Sequence, residues 1–338
     1  MSSFASVHAF EIALANLRDA DNEAASDARI RQGELTKPAG SLGRLEELAI
    51  FFAGWQGRAR PQINRARAAI FAGNHGVTVH GVSAFPPSVT AQMVANFAAG
   101  GAAINALSEA AGLELTVVAL DLDRPTADFT GDAAMSEAEC LDALNRGAAV
   151  VDTDLDLIVL GEMGIGNSTA AAALCARSFG GGATDWAGPG TGIDGHGVAR
   201  KAAVIDRAIA FHADAPRTAF ETLRRVGGRE IAAIAGAILR ARQLGIPVLL
   251  DGFIGTSAIA PLAADNPAIT DHCLAGHCSA EPGHKRLLGR LDLDPLLTLD
   301  MRLGEGSGAA VATNIVRSAL AAHDKMATFA EAAVSASL

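Results

Sequence analysis

The sequence predicts an α/β fold in which a parallel sheet is flanked by helices. Short apolar runs of strand length alternate along the chain with longer, alanine-rich stretches of helical character. This spacing is typical of parallel strands joined by right-handed crossovers. The predicted strands are Ala68–Ala72, Leu115–Leu120, Leu155–Leu160, Pro247–Leu250 and Cys273–Gly276. The predicted helices between them are Ser88–Ala111, Ser168–Ser178, Gly197–Ala213 and Glu230–Leu244.

A polar or glycine-rich loop follows each predicted strand. In open α/β sheets, ligands bind beyond the carboxyl ends of the strands. Because parallel strands bring these ends to one edge, we expect a single site there. The loops are residues 73–76, 121–123, 161–167, 251–253 and 277–281.

The two ends of the chain differ from its middle. The N-terminal part contains a helical pattern at Leu42–Trp55, and the last thirty or so residues are again helical and alanine-rich. We therefore expect residues 1–60 and 308–338 to form a small helical domain beside a large catalytic domain, residues 61–307.

Composition limits the classes of partner. Half of the 338 residues are apolar, but only 4% are aromatic and tyrosine is absent, so small side chains must fill the core. The net charge of −10 disfavours nucleic acid and anionic membranes as partners. Backbone N–H groups can still bind a small anion within an acidic protein.

The sequence predicts a cytoplasmic protein without a membrane span. Four cysteines are too few for a disulfide framework in a chain of this length. The first residues lack the basic region of a signal peptide. The longest apolar stretch, residues 246–264, is interrupted by Asp251 and by Gly, Ser and Pro.

A glycine-rich segment, residues 161–169, precedes a predicted helix. Glycines let the backbone N–H groups turn inward, and a helix N-terminus attracts anions, so this segment could hold a phosphate. Alternatively, Ser168 or Thr169 only caps the helix. The segment matches neither the dinucleotide fingerprint nor the P-loop, which disfavours an NAD-binding fold and an NTPase.

Two acidic residues stand where packing alone does not explain them. We place Glu162 one residue into the loop after the third strand, where it serves function or caps neighbouring amides. Glu305 lies between two glycines just before a helical run. Burial there would raise its pKa toward a value useful in a general base, whereas the alternative is a turn or C-cap residue.

Other candidates have weaker signals. Arg200 and Lys201 follow the loop at residues 188–194 and could meet an anion, although a solvated helix face is favoured by the pattern alone. The pairs His272-Cys273 and His277-Cys278 have no zinc-finger spacing and would alternate across a strand, so we expect no metal. His75 is interpreted as a loop hydrogen-bonding residue.

Five motifs in order resemble the nicotinate-nucleotide:dimethylbenzimidazole phosphoribosyltransferases of cobalamin lower-ligand assembly. The resemblance spans roughly residues 36–313, nearly the whole chain. The motifs are Thr36-Lys37-Pro38-x-Gly40-Ser41-Leu42-Gly43, Gly161-Glu162-Met163-Gly164-Ile165-Gly166-Asn167, Asp251-Gly252-Phe253-Ile254, His277-x-Ser279-Ala280-Glu281-x-Gly283-His284, and Met301-Arg302-Leu303-Gly304-Glu305-Gly306-Ser307-Gly308.

This resemblance implies that nicotinate mononucleotide gives its 5-phosphoribosyl group to 5,6-dimethylbenzimidazole, yielding α-ribazole 5′-phosphate and free nicotinate. It also implies a Rossmann-like sheet with a small helical domain, a homodimer, and no metal or cofactor. Glu305 is implied as the catalytic base and Glu162 as a second acid. The residues implied for the phosphoribosyl group are Gly164, Gly166, Asn167, Ser168, Thr169, Lys201 and Asp251. Those implied for the base are Ser83, Phe85, Gln92 and Leu303.

Some positions depart from the family pattern and leave alternatives open. Ser168 and Ser307 stand where threonine is expected, and Phe85 stands near where tyrosine is common. The acceptor could therefore be another base, such as adenine, a different benzimidazole or a phenol. Two further hypotheses are a nucleotide-dependent oxidoreductase on the same type of sheet and a catalytically silent nucleotide-binding protein.

Overall fold

A computed structural model describes residues 3–190 and 192–335. These residues form a six-stranded sheet, in the order β2-β1-β3-β4-β5-β6, with every neighbouring pair parallel. The predicted α/β class is thus confirmed. The strands are β1 (Ala66–Ala72), β2 (Glu114–Ala119), β3 (Leu157–Met163), β4 (Val248–Leu250), β5 (Cys273–His277) and β6 (Pro295–Leu297).

Helices cover both faces of the sheet. Within the described ranges, the α-helices are α1 (Val7–Ala15), α2 (Asn22–Glu34), α3 (Arg44–Gln56), α4 (Ser88–Ala98), α5 (Ala103–Ala111), α6 (Glu137–Ala148), α7 (Asn167–Phe179), α8 (Gly195–Phe211), α9 (Ala219–Val226), α10 (Arg229–Leu244), α11 (Phe253–Ser257), α12 (Ala260–Asp265), α13 (Pro282–Leu291) and α14 (Ser307–Lys325). One face packs against α6, α7 and α10, and the other against α3, α5 and α14. β3 lies inside the sheet and is buried along nearly its whole length, as both-sided coverage requires.

The small-residue composition is explained by the contact between α6 and α10. A Cβ added at Gly147 would lie 1.7 Å from the Ala233 carbonyl oxygen, and one at Gly236 would lie 2.0 Å from the Leu144 carbonyl oxygen. Each helix thus presents a glycine to the backbone of the other. The two axes can approach closely only because these side chains are missing.

Two predicted helices differ from the observed ones, and one strand was missed. The predicted helix Ser88–Ala111 is divided into α4 and α5, because the chain turns at Gly100, whose φ is +78°. The short edge strand β6 was not predicted. The helical pattern of residues 308–338 ends at Lys325, and Thr328 then forms an isolated bridge with Leu35; residues 336–338 lie outside the described ranges.

The terminal segments pack in two places. Helices α2, α3 and α14 contact one another, as expected for a small helical unit. Helix α1 instead packs on the main core, where the Phe10 ring lies 6.1 Å from that of Phe220. The division into two domains at residues 60 and 308 remains a prediction. None of the described helices is both long and apolar enough to cross a membrane.

Candidate functional site

A cleft opens at the carboxyl edge of the sheet. Its walls come from the segments that follow β3, β4 and β5 and from the turn before α14. A concave site therefore lies where it was predicted, beyond the carboxyl ends of the strands. The lining segments are residues 82–83, 162, 164–168, 189–190, 193, 252–254, 277, 279, 281 and 302–304, together with Lys201.

One end of the cleft is formed by the N-terminus of α7. Gly164, Gly166, Asn167 and Ser168 line it, and Gly166 is the N-cap residue with a φ of +97°. No side chain caps this helix, so the alternative in which Ser168 or Thr169 serves as a cap is wrong. The N–H groups of the lining residues Gly166 and Ser168 have no partner among the described residues, which suits an anion. Thr169 is fully buried and lies behind the lining.

Lys201 supplies a buried positive charge at the same end. The residue is 1% exposed, so the favoured interpretation as a solvated helix face is wrong. Its Nζ donates to Ser168 Oγ at 3.0 Å and to the Gly188 carbonyl oxygen at 2.8 Å. Burial lowers the pKa of Lys201 to about 8, opposed by the Glu281 carboxylate. The ammonium group is charged at neutral pH and incompletely paired by anionic groups.

Glu162 lies in the floor of the cleft. It is a residue of β3 itself, and not of the following loop as expected, because the strand extends to Met163. Its Oε2 accepts a short hydrogen bond from Asn167 Nδ2. Burial raises the pKa of Glu162 well above its ordinary value, and the Glu230 and Asp251 carboxylates raise it further. This carboxyl group favours its neutral form.

Glu305 directly follows the lining residue Gly304 in the chain but is not itself part of the lining. Its backbone N–H donates to the Glu162 carbonyl oxygen at 3.2 Å. The residue is 5% exposed, and its Oε2 has no hydrogen-bond partner among the described residues. Burial raises the pKa of Glu305, opposed by the Ile104 backbone N–H and aided by Asp251. A buried carboxylate of raised pKa with one free oxygen can accept a proton from a ligand.

Asp251 is placed differently from the other residues predicted to bind phosphoribosyl. It is 2% exposed and does not line the cleft, although its neighbour Gly252 does. Both of its carboxylate oxygens accept backbone N–H groups at the start of α14, from Gly306 at 3.1 Å and from Ala309 at 3.0 Å. Its hydrogen-bond partners are thus backbone groups, and the His277 Nε2 atom lies 3.4 Å from Oδ1.

The residues predicted for the base are only partly brought together. Ser83 and Leu303 line the cleft. Phe85 and Gln92 are exposed and lie outside the lining, although the Phe85 N–H donates to Ser83 Oγ at 3.2 Å. Helix α4, which carries Gln92, is tied to the cleft through Thr90, whose Oγ1 accepts the Ile165 N–H at 3.2 Å.

The histidines have structural partners. His272 contacts the carbonyl oxygens of Ile269 and Ile238 through its two ring nitrogens. The prediction that His75 forms hydrogen bonds is confirmed, since its Nε2 lies 2.5 Å from Glu230 Oε1 and both residues are buried. In residues 3–190 and 192–335, His, Cys, Asp and Glu form no cluster suited to a metal ion.

Comparison with known proteins assigns the chain to a family. A family model described as "Phosphoribosyltransferase" matches residues 17–334. The chain belongs to this phosphoribosyltransferase family. The family inferred from the five motifs, and the enzyme class that it implies, are therefore confirmed.

Individual relatives match over nearly their full length. The nicotinate-nucleotide–dimethylbenzimidazole phosphoribosyltransferase of Novosphingobium aromaticivorans is 71% identical, over 99% of both chains. That of Ruegeria sp. (strain TM1040) is 56% identical, over 96% of both. The crystal structure of CobT from Thermus thermophilus is 39% identical and superposes with a TM-score of 0.87, covering 93% of this chain and all of that one.

Several cleft residues of this phosphoribosyltransferase were not predicted as site residues. His277, Glu281 and Arg302 line the cleft, and Glu230 is a fully buried carboxylate beside it. The first two lie in a loop that was predicted to face the site. The sequence offered a signal for Glu230, because it is an acid in the first turn of an otherwise apolar helix. An acid at such a position is rarely buried unless it has a partner.

Proposed function

We propose that the chain transfers the 5-phosphoribosyl group of nicotinate mononucleotide to 5,6-dimethylbenzimidazole, giving α-ribazole 5′-phosphate and nicotinate. One observation carries the proposal: the N-terminus of α7 and the buried Lys201 line the same cleft as Glu162, a buried acid of raised pKa, and a second such acid, Glu305, directly follows the lining residue Gly304. The first pair suits a phosphate and the second suits proton transfer to or from a neutral base. The names of the relatives agree with this reaction.

The phosphate is placed at the start of α7. The N–H groups of Gly166 and Ser168 have no partner among the described residues, and Lys201 stands beside Ser168. Phosphate oxygens would accept from these N–H groups and from the ammonium group, as charge-assisted hydrogen bonds. Contacts of this kind fix the sugar so that C1′ faces the deeper part of the cleft.

Glu305 acts as the general base. One nitrogen of the benzimidazole attacks C1′ while the bond from C1′ to the nicotinate nitrogen breaks, and the electron pair of that bond neutralises the pyridinium ring. Glu305 takes the proton from the other benzimidazole nitrogen, so the product is neutral at the new linkage. Attack from the face opposite nicotinate inverts the anomeric centre from β to α.

Glu162 orients the sugar. Its alternative role, charge stabilisation of a developing ribose cation, requires an ionised carboxylate. The raised pKa of Glu162 favours the neutral acid, which can both donate and accept a hydrogen bond with a ribose hydroxyl. Its contact with Asn167 then links the sugar position to the start of the phosphate-binding helix.

The test compares wild-type protein with Glu305→Gln in a metal-free assay of nicotinate release and α-ribazole phosphate formation. We expect the variant to lose about 10²- to 10⁴-fold in kcat, because its amide cannot take the proton. Glu109→Gln, on the exposed side of α5, is the matched control and should keep wild-type kcat.

The outcomes separate the parts of the proposal. Equal rates for wild type and Glu305→Gln would contradict the role of Glu305. Turnover only with adenine, another benzimidazole or a phenol would keep the reaction type and replace the acceptor. Nucleotide binding without turnover on any base would leave a silent binding protein.

We also propose that the enzyme is a cytoplasmic homodimer. Light scattering after size-exclusion chromatography should give twice the chain mass of 34.4 kDa. A single-chain mass at assay concentration would contradict the dimer. Fractionation of the native cells, with activity followed in the soluble fraction, tests the compartment.

A further inference from the structure

The turn that carries Glu305 has an unfavourable backbone conformation. Glu305 has a φ of +62°, between Gly304 at +85° and Gly306 at +76°. For a residue other than glycine, this left-handed region costs about 1–2 kcal/mol and persists only when the surroundings enforce it.

The ends of two neighbouring strands enforce this conformation. From β3, the Glu162 carbonyl oxygen accepts the Glu305 N–H at 3.2 Å. From the end of β4, Asp251 accepts the N–H of Gly306 through Oδ2 and that of Ala309 through Oδ1. Asp251 therefore joins the residue next to Glu305 to the first turn of α14.

Asp251 also satisfies the start of α14 with a single carboxylate. α14 begins at Ser307, and no side chain of its own N-cap residue serves as a cap because that residue is Gly306. A carboxylate at a helix N-terminus is favoured by the unpaired N–H groups and by the helix dipole. The position is 2% exposed, so water cannot replace Asp251 there without rearrangement.

Four titratable groups face Asp251 from the elements around it. His277 of β5 places its Nε2 3.4 Å from Asp251 Oδ1. Glu162 of β3, Glu305 of the turn and His284 of α13 lie near enough for the Asp251 charge to change their pKa values. The Asp251 charge raises the pKa of Glu305, and therefore its strength as a base.

We propose that Asp251 is a positioning residue for the transfer reaction, which holds the Gly304–Gly306 turn so that the Glu305 carboxylate faces the base. It acts through two backbone hydrogen bonds and one buried charge, and not by contact with the substrate. The inference rests on the proposed role of Glu305.

The experiment measures kcat and KM from about pH 5 to about pH 9, the range in which a general base titrates, for wild type, Asp251→Asn, Asp251→Glu and Glu305→Gln. Asp251→Asn cannot accept both N–H groups equally and carries no charge. We expect its kcat to fall about 10²-fold through misplacement of Glu305, with a much smaller change in KM for the mononucleotide. The acid limb of its kcat profile should move to lower pH, because Glu305 then ionises more easily.

Asp251→Glu keeps the negative charge but moves the carboxylate, so it separates the effect of position from the effect of charge. It should lower kcat but leave the acid limb in place, because the negative charge remains. Asp21→Asn is the matched control: Asp21 is the N-cap residue of α2 and accepts the Ala24 N–H at 2.9 Å, away from the cleft. It should leave both the unfolding temperature and the kcat profile nearly unchanged, because asparagine caps a helix about as well as aspartate does.

A folded Asp251→Asn protein with wild-type kcat and acid limb, alongside an inactive Glu305→Gln, would overturn the inference and leave the proposed function intact. Full activity of Glu305→Gln would instead remove the proposed base. If Asp251→Asn does not fold, Asp251→Glu decides, and an unchanged kcat in that variant overturns the inference.

Discussion

Two glycine turns lead from the same sheet edge into helices, and they differ in what occupies the helix start. The turn before α7 and the turn before α14 both end in a glycine of positive φ, Gly166 and Gly306, without a side-chain cap from that residue. At α7 the N–H groups of the cleft-lining residues Gly166 and Ser168 have no partner among the described residues. At α14 they are taken by Asp251. Similar local sequences thus give one turn suited to an anion and one that presents a carboxylate.

The largest expected effect comes from closing the space behind the carboxylate turn. A Cβ at Gly161 would lie 2.4 Å from the Gly306 nitrogen and 2.6 Å from the Glu305 carbonyl carbon, both backbone atoms. Gly161→Ala should therefore lower the free energy of unfolding by about 1–3 kcal/mol and reduce kcat strongly. Urea unfolding and steady-state kinetics measure both.

Gly33→Ala is the control for that substitution. Gly33 is in the last turn of α2, and a Cβ there would meet nothing within 4 Å. Alanine should raise the free energy of unfolding by about 0.4–1 kcal/mol through the unfolded state, with kcat unchanged. If Gly161→Ala and Gly33→Ala have the same free energy of unfolding and the same kcat, the close contact of Gly161 with the turn affects neither stability nor activity.

The next effect concerns the anion turn. Lys201→Met keeps the length of a buried side chain but removes its charge. We expect KM for the mononucleotide to rise about 10- to 100-fold, with a smaller change in kcat. This rise corresponds to the free energy that a hydrogen bond to a charged group contributes. Lys285→Met, on an exposed face of α13, should leave KM as it is. A rise of KM in both variants would point to general electrostatics and not to a specific contact.

The same lysine gives a pH dependence that the carboxylate turn does not. With the pKa of Lys201 lowered to about 8 by burial, the ammonium group is charged below that pH and loses its proton above it. KM for the mononucleotide should therefore rise as the pH increases through about 8, whereas kcat at saturation should not fall in step. Initial rates at several substrate concentrations across this range measure it, and a KM that stays constant would contradict a phosphate contact by Lys201.

The smallest effect compares a hydroxyl at each helix start. Ser168 accepts a hydrogen bond from Lys201, whereas the buried Ser307 hydroxyl has no partner among the described residues. Ser168→Ala should raise KM for the mononucleotide about twofold to fivefold. Ser307→Ala should leave it unchanged. The reverse order of effects would mean that the α14 start, and not the α7 start, meets the substrate.

The sequence predicted the fold class and the position of the cleft because both depend on local periodicity. The sequence did not show that the two glycine turns differ in function. The group that accepts the N–H groups at the start of α14 belongs to a residue from a distant strand. Asp251 is 55 positions before Gly306 in the chain, yet it contacts that residue directly. The burial of Lys201 was missed for the same reason: the residues that cover it come from other loops. Only the family resemblance pointed to Glu305 and Lys201 as partners in one site.

Glu305 lowers the stability of the protein through its left-handed conformation, but it supplies the proposed catalytic base. Among the twenty residues, glycine would adopt this φ without the steric cost, and it would also remove a buried oxygen that has no partner in the described structure. A glycine at this position therefore favours a firmer fold and abolishes the proposed base. Screens that select variants for thermal tolerance alone should accumulate loss of function at this turn, so any effort to strengthen this protein must select for turnover as well.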